Sequence, residues 1–153
     1  VDEPPVVPDI APPAAYKTIL VPLDHSERDR DAIAHAVSTA KVHGAVIHVL
    51  HVEEGVTSKL YGSMASTAEV EYGLQYFRQI IEKIKAHGIE AEMAVAHAET
   101  PRNAIIEYSQ RIHPDLIVMG AHGHTGIKDL IFGTAINAVR HEVKAPVLIV
   151  GGK

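Results

Sequence analysis

The sequence lacks cysteine and tryptophan, and only 5% of its 153 residues are aromatic. Without cysteine, neither a disulfide framework nor a zinc site built on thiolates can form. No apolar run approaches the roughly 20 residues that a membrane-spanning helix needs. The formal net charge of −5 gives no support to nonspecific binding of nucleic acid or anionic lipid. We therefore expect no nucleic-acid partner and no direct membrane insertion.

Proline is concentrated at one end of the chain. Five of the nine prolines fall in residues 1–15, VDEPPVVPDIAPPAA. This composition excludes a helix or an interior strand and predicts an extended lead-in or linker. The acidic start does not read as a signal peptide. The first residue is Val, which fits a processed or cloned terminus and fits equally a domain cut from a longer polypeptide with a fused or partner domain upstream.

From residue 16 to residue 153 the chain reads as one folded domain of alternating strands and helices. Short apolar runs predict strands over residues 17–23, 45–52, 89–96, 115–119 and 146–150. Amphipathic segments between them predict helices, the first capped by Ser26 and the third by Thr100 followed by Pro101. Two helices are expected to stop at Gly44 and Gly88 in a left-handed conformation.

The strand–helix alternation predicts the fold. Helical crossovers of this kind force neighbouring strands to be parallel, and continuous apolar strands indicate a sheet covered on both faces. We therefore predict a five-stranded, parallel, doubly wound α/β/α sandwich of the Rossmann-like class, with strand order 3-2-1-4-5. Ligands of such sheets bind beyond the carboxyl ends of the strands, where the winding direction switches. The loops that follow strands one, two and four are expected to meet there.

The loop after the fourth strand, residues 120–134, reads GAHGHTGIKDLIFGT. Gly120 and Gly123 permit a tight turn and a close approach of the main chain to a ligand. Gly133 and Thr134 open a helix, whose unpaired amides and positive dipole end favour phosphate. The pattern favours a nucleotide diphosphate or triphosphate. The competing interpretation is that these glycines only end a strand and begin a helix.

The spacing Gly120-x2-Gly123-x9-Gly133-Thr134, between LIVMG and APVLIV, resembles the nucleotide-binding signature of the universal stress protein family. KTILVPLDHSE resembles that family's first strand and its Asp-containing turn, and VIHVLHV resembles its second strand. The resemblance extends from about residue 16 to residue 151. It places the chain in the glycine-signature branch and implies a homodimeric, cytoplasmic protein that binds ATP, or ADP or AMP.

The resemblance also implies a set of ligand-binding residues. Asp24 and the Val52 main chain would flank adenine, and Pro22 and Gly120 would lie near the ribose. The phosphates would be surrounded by His122, Gly123, Gly133, Thr134 and Ala135. Leu23, Met119 and His124 complete the candidate set. The alternative for His122 and His124 is that they simply face solvent. Mg²⁺ or Mn²⁺ would be held by the phosphates, with no metal ligand from a side chain.

Two positions depart from the family pattern, and the signals of catalysis are absent. His25 stands where many relatives carry Gly, and Thr134 replaces the commoner Ser while keeping the hydroxyl. The chain has no Gly-x4-Gly-Lys-Ser/Thr motif, and Lys128 lies at the wrong spacing. The acidic pairs Glu53–Glu54 and Asp29–Asp31 are expected to lie in a loop and on a solvated helix turn. Neither a metal-holding carboxylate nor a catalytic base is identifiable, so at most slow hydrolysis is expected.

The sequence is compatible with three functions. The first is an ATP-binding regulatory or stress-response module, whose occupancy changes the surface shown to a partner or attached domain. The second is a dimerising interaction module that binds no nucleotide, because the terminal strand Val147–Val150 invites pairing with a second copy. The third is a module for another adenine nucleotide, such as a cyclic one.

Overall fold

The computed structural model describes residues 2–23, 28–54, 67–98, 100–120 and 136–151. The strands are β1 (Thr18–Leu23), β2 (Val46–Glu54), β3 (Ala91–Ala98), β4 (Leu116–Gly120) and β5 (Val147–Val150). The helices are α1 (Arg28–His43), α2 (Thr67–Lys85), α3 (Pro101–Ile112) and α4 (residues 136–142). No helix within these ranges is long and apolar enough to cross a membrane.

The five strands form one parallel sheet in the order β3-β2-β1-β4-β5. The predicted fold and strand order are therefore confirmed. The chain moves from β1 outward to β3, then returns across β1 to β4 and β5. This reversal makes the boundary between β1 and β4 the switch point of the winding.

The helices cover the two faces of the sheet in pairs. Along β1, side chains alternate between the faces, so Ile19, Val21 and Leu23 pack with α1 and α2, and Leu20 packs with α3 and α4. All four side chains are fully buried. A central strand buried on both faces explains why β1 is a continuous apolar run in the sequence.

Local chemistry ends the helices where the sequence indicated. Gly44 and Gly88 have φ of +70° and +81°, as predicted for left-handed stops. Thr100 caps α3, since its hydroxyl accepts a hydrogen bond from the Asn103 N–H at 3.2 Å. At the other end of α3 the left-handed position is taken by His113, with φ of 49° and no glycine to relieve it.

The carboxyl ends of β2 and β3 lie further along the chain than predicted. Both strands extend two residues past the expected ends because they pair with each other there, Glu53 with His97 and Glu54 with Ala98. The expectation that Glu53 and Glu54 lie in a loop is therefore wrong. β4 is likewise shifted by one residue, so that Gly120 is its last residue and Asp115 precedes it.

The amino end of β1 is tied to the body of the domain by side chains. The Asp115 carboxylate accepts hydrogen bonds from the N–H groups of Lys17 and Thr18, at 2.7 and 2.9 Å. The Tyr16 N–H donates to Nδ1 of His43 at 3.1 Å, and the two rings are 4.7 Å apart. The chain therefore enters the fold at a fixed point on the amino edge of the sheet.

Candidate functional site

The candidate site lies at the carboxyl edge of the sheet, around the switch point. Because all five strands are parallel, their carboxyl ends meet at this edge. β1 ends there at Leu23 and β4 at Gly120, one on each side of the switch. β2 flanks β1 on its other side, and Val52 pairs with Ala96 near the end of that strand. The predicted candidates in β1, β2 and β4 are thus brought to one edge.

Pro22 interrupts the sheet at this point. Among the described residues of β1 and β4, the pairing runs from Ile19 with Leu116 to Leu20 with Ile117 and does not continue. The Thr18 carbonyl accepts from the Asp115 N–H, so main-chain groups at every second residue, including Pro22, point toward β4. Proline has no N–H to donate. The ladder therefore ends before the carboxyl edge, at the position where ligands of doubly wound sheets bind.

The main chain, and not the side chains, faces this position on both strands. The side chains of Leu23 and Met119 are fully buried in the two cores. Gly120 is half-buried and pairs with Val150 of β5. Its N–H points toward β1, because the Ile117 N–H, three residues earlier, points the other way and donates to the carbonyl of Pro146, just before β5. A molecule bound here would meet a bare glycine amide on one side and a proline on the other.

The remaining predicted site residues lie outside the described residues. They are Asp24, His122, Gly123, His124, Gly133, Thr134 and Ala135. Their assignment to a ligand site stays a prediction from the sequence.

Asp29 is a buried residue that the sequence reading placed in solvent. It lies in the first turn of α1, and only 5% of its surface is exposed. Its carboxylate accepts a hydrogen bond from the Tyr76 hydroxyl of α2 at 3.2 Å. The expectation of a solvated acidic turn is wrong for Asp29, because α2 packs over it. Asp31, with a side chain 41% exposed, does face solvent.

His48, Glu92 and Tyr108 form a polar cluster that the sequence analysis did not predict. His48 and Glu92 are paired positions on β2 and β3, with Nδ1 3.6 Å from the carboxylate. Tyr108 of α3 packs against the core on the same side. Its pKa is raised above 10.0, first by burial and then by the Glu92 charge, with Arg111 opposing. The three residues lie on different elements, and the hydrophobic periodicity of each element marks its residue only as half-buried. No signal in the sequence therefore indicates that they lie close together.

The raised Tyr108 pKa predicts a loss of stability in alkali. Above pH 10.0 the unfolded chain releases this proton before the folded chain does, so the free energy of unfolding falls as pH rises. We expect Tyr108→Phe to make that fall shallower, and Glu92→Gln to do so to a smaller extent. Urea unfolding measured at several pH values on both sides of 10.0 checks this. Identical pH profiles for wild type and Tyr108→Phe would contradict it.

Within the described part of the chain, no group of three or more His, Asp or Glu side chains could hold a metal ion. The chemistry that the described edge offers is therefore that of main-chain amides beside an interrupted ladder. Such an edge suits a ligand with hydrogen-bond acceptors, and doubly wound sheets commonly bind nucleotides at this position.

Comparison with known proteins identifies the family. The family model of the universal stress protein family matches residues 15–151, so the chain belongs to that family. It is 31% identical to a universal stress protein of Thermus aquaticus over 140 residues, covering 88% of this chain and 98% of the relative. It is 30% identical to universal stress protein YxiE of Bacillus subtilis over 148 residues, covering 88% and 99%.

Solved structures share the fold. Hypothetical protein MJ0577 superposes with a TM-score of 0.75 at 24% identity, covering 92% of this chain and 99% of that one. A universal stress protein in complex with cAMP gives 0.64 at 23% identity, covering 90% and 98%. The protein from Archaeoglobus fulgidus in complex with dAMP gives 0.65 at 20% identity, covering 89% and 98%.

Proposed function

We propose that this chain binds an adenine nucleotide at the carboxyl edge between β1 and β4, and that the physiological ligand is ATP. The observation that carries the proposal is the end of the β1–β4 ladder at Pro22, beside the Gly120 amide. This interruption leaves main-chain groups at the switch point for a ligand to contact. The adenine nucleotides in two structures of the same fold, cAMP and dAMP, support the ligand class.

The sequence of the loop after β4 supports a chain of phosphates over a single one. As the sequence predicts them, Gly123, Gly133 and Thr134 would supply bare amides, a helix start and a hydroxyl, all groups that can donate hydrogen bonds to anionic oxygens. Mg²⁺ or Mn²⁺ accompanying the nucleotide would be held by its phosphates. The alternative ligands ADP, AMP and cyclic AMP would use the adenine end of the site and fewer of these donors.

We propose that the bound nucleotide regulates and is not turned over rapidly. Rapid phosphoryl transfer needs a carboxylate for the metal and a base that positions the attacking group. Neither is recognisable in the sequence, and the buried Asp29 is engaged by the Tyr76 hydroxyl. Occupancy would instead change the surface that a cytoplasmic partner or an attached domain meets.

Direct titration tests the proposal. The purified full chain is titrated with ATP, ADP, AMP and cyclic AMP, with and without Mg²⁺, in a calorimeter, and small molecules that copurify are identified by mass spectrometry. We expect saturable binding of ATP, weaker binding of the nucleotides with fewer phosphates, and a copurified adenine nucleotide. Absence of binding by all four at millimolar concentration would defeat the proposal.

A second candidate function, self-association through β5, rests on a separate observation. β5 is an edge strand, and its Leu148 and Ile149 are each 38% exposed. An apolar edge strand offers unpaired main-chain groups together with apolar side chains to a second copy. A homodimer formed in this way is compatible with nucleotide binding and could also exist without it.

We expect Ile149→Asp to convert the dimer to monomer, because the change would bury a carboxylate in an apolar contact. Sedimentation velocity at several protein concentrations measures the change. Val95→Asp is the matched control, since Val95 is 37% exposed on β3, the opposite edge strand. A chain that is monomeric before substitution, or a dimer disrupted equally by Val95→Asp, would contradict pairing through β5.

A further inference from the structure

The proline-rich segment, residues 2–15, lies outside both the core and the candidate site. None of its residues is in a helix or strand, and all are exposed. Its three large apolar side chains are almost fully exposed to solvent: Val6 is 92% exposed, Val7 79% and Ile10 89%. Burying apolar side chains away from water is favourable, so a surface that covers Val7 and Ile10 would bind the segment.

The composition of the segment favours one conformation. Each proline fixes its own φ, and the residue before a proline is driven to extended or polyproline II geometry. Among the eleven residues 3–13, eight are proline or precede proline. The segment therefore favours a polyproline II helix before any partner is present, and little conformational entropy is lost on binding.

A polyproline II helix has three residues per turn, so every third residue lies on one ridge. The first ridge of this segment holds Pro4, Val7, Ile10 and Pro13. The second holds Pro5, Pro8, Ala11 and Ala14. The third holds Glu3, Val6, Asp9 and Pro12. Two adjacent ridges are thus wholly apolar over about 28 Å. Of the acidic residues in the segment, Glu3 and Asp9 fall on the remaining ridge, and Asp2 lies at the amino end of the second ridge, beyond its apolar stretch.

We infer that residues 2–15 form a recognition segment for another protein whose groove is lined by aromatic side chains and bordered by lysine or arginine. Aromatic-lined grooves are the surfaces that accept the two apolar ridges of a polyproline II helix. We expect the border of the groove to be basic because the Glu3 and Asp9 carboxylates would lie at its rim, where positive charge would complement them. A second copy of this chain is a poor occupant, because it has no tryptophan, only 5% aromatic residues and a net charge of −5.

The position of the segment keeps it independent of the nucleotide site. Its exit is fixed at the amino edge of the sheet by the Tyr16–His43 and Asp115 hydrogen bonds. The candidate site lies at the carboxyl edge, about 20 Å away along the six residues of β1. A protein bound to the segment would therefore leave the nucleotide edge open, and this inference does not rest on nucleotide binding.

The test uses the full chain, fluorescently labelled, against an array of purified SH3, WW and EVH1 domains that differ in the charge of the groove rim. We expect saturable binding to domains with basic rims, weakened by salt. Val7→Asp and Ile10→Asp, on an apolar ridge, should each reduce affinity roughly tenfold or more, because a carboxylate would enter the groove.

Val6→Asp is the matched control, since it places the same charge on the neighbouring residue but on the acidic ridge. We expect it to change affinity by less than about twofold. Three outcomes would overturn the inference: no binding by any domain, a loss for Val6→Asp equal to that for Val7→Asp, or a preference for acidic rims. Circular dichroism should show the fold unchanged in all three variants, since the three substituted side chains are largely exposed.

Discussion

Replacing Gly123 with valine is expected to lower the affinity for ATP roughly 100-fold, or about 2.7 kcal/mol. If the loop after β4 brings its main chain against the phosphates, a branched side chain at Gly123 forces that main chain away. Each lost hydrogen bond to a charged oxygen is worth about 1.5–3 kcal/mol, so losing one or two accounts for the effect. Calorimetric titration with MgATP measures it.

Gly126→Val is the matched control, because Gly126 belongs to the same stretch of sequence but lies outside the spacing of Gly120, Gly123, Gly133 and Thr134. We expect its effect on ATP affinity to be small. Sedimentation should show the same oligomeric state for both variants and wild type. Equal ATP affinity in Gly123→Val and wild type would count against the phosphate site and leave self-association as the better supported function.

Replacing Asp115 with alanine is expected to lower the free energy of unfolding by about 2 kcal/mol, because two hydrogen bonds to a charged acceptor are lost at once. The carboxylate is exposed to solvent, so the expected loss is smaller than the roughly 3–6 kcal/mol that two such hydrogen bonds would total at full strength. It holds the N–H groups of Lys17 and Thr18 at 2.7 and 2.9 Å. Thr18 is the first residue of the central strand and Lys17 precedes it, so these hydrogen bonds hold the start of β1 against the residue before β4. Urea unfolding at neutral pH measures the change.

Two further variants separate this role from a general effect of removing charge. Asp115→Asn keeps an oxygen that can accept a hydrogen bond and should lose about half as much. Asp31→Ala removes a carboxylate whose side chain is 41% exposed and 3.8 Å from Arg30, and should change stability by less than about 0.5 kcal/mol. A loss for Asp31→Ala as large as that for Asp115→Ala would contradict the proposed anchor.

The fold was predictable because each of its determinants is local in the sequence. Continuous apolar runs indicated buried strands, and Gly44, Gly88 and Thr100 marked helix boundaries that the structure reproduces. The alternation of strands and helices then dictated a parallel sheet. The resemblance to the universal stress protein family, carried by the glycine spacing, agrees with the family match over residues 15–151.

What the sequence did not reveal depends on contacts between distant segments. Asp29 looks like a helix-start residue, and only the packing of α2 shows that it is buried beneath Tyr76. Asp115 looks like the first residue of a strand, yet its carboxylate accepts hydrogen bonds from Lys17 and Thr18, which lie 98 and 97 residues earlier in the chain. The last two residues of β2 are in the sheet only because β3 lies beside them. Local patterns carry no information about such partners.

The Pro22 position shows the same limit at the candidate site. A proline inside an apolar strand argues against a central strand when read alone. In the fold it sits near the end of β1, where its missing N–H ends one ladder while the pairing with β2 continues to Leu23. The family resemblance implied a ligand role for Pro22, and the register adds that the β1–β4 pairing stops before it.

The parallel order of the sheet has a mechanical consequence. The chain enters at the amino edge beside β1 and, after β5, leaves at the carboxyl edge, with β4 lying between these two strands. A tension applied between residues 16 and 151 therefore acts along the strands, and the hydrogen bonds of the β1–β4 and β4–β5 ladders are loaded together in shear. If this domain is tethered between two larger bodies, it should resist stretching, because many hydrogen bonds must break together under shear and cannot be broken one after another.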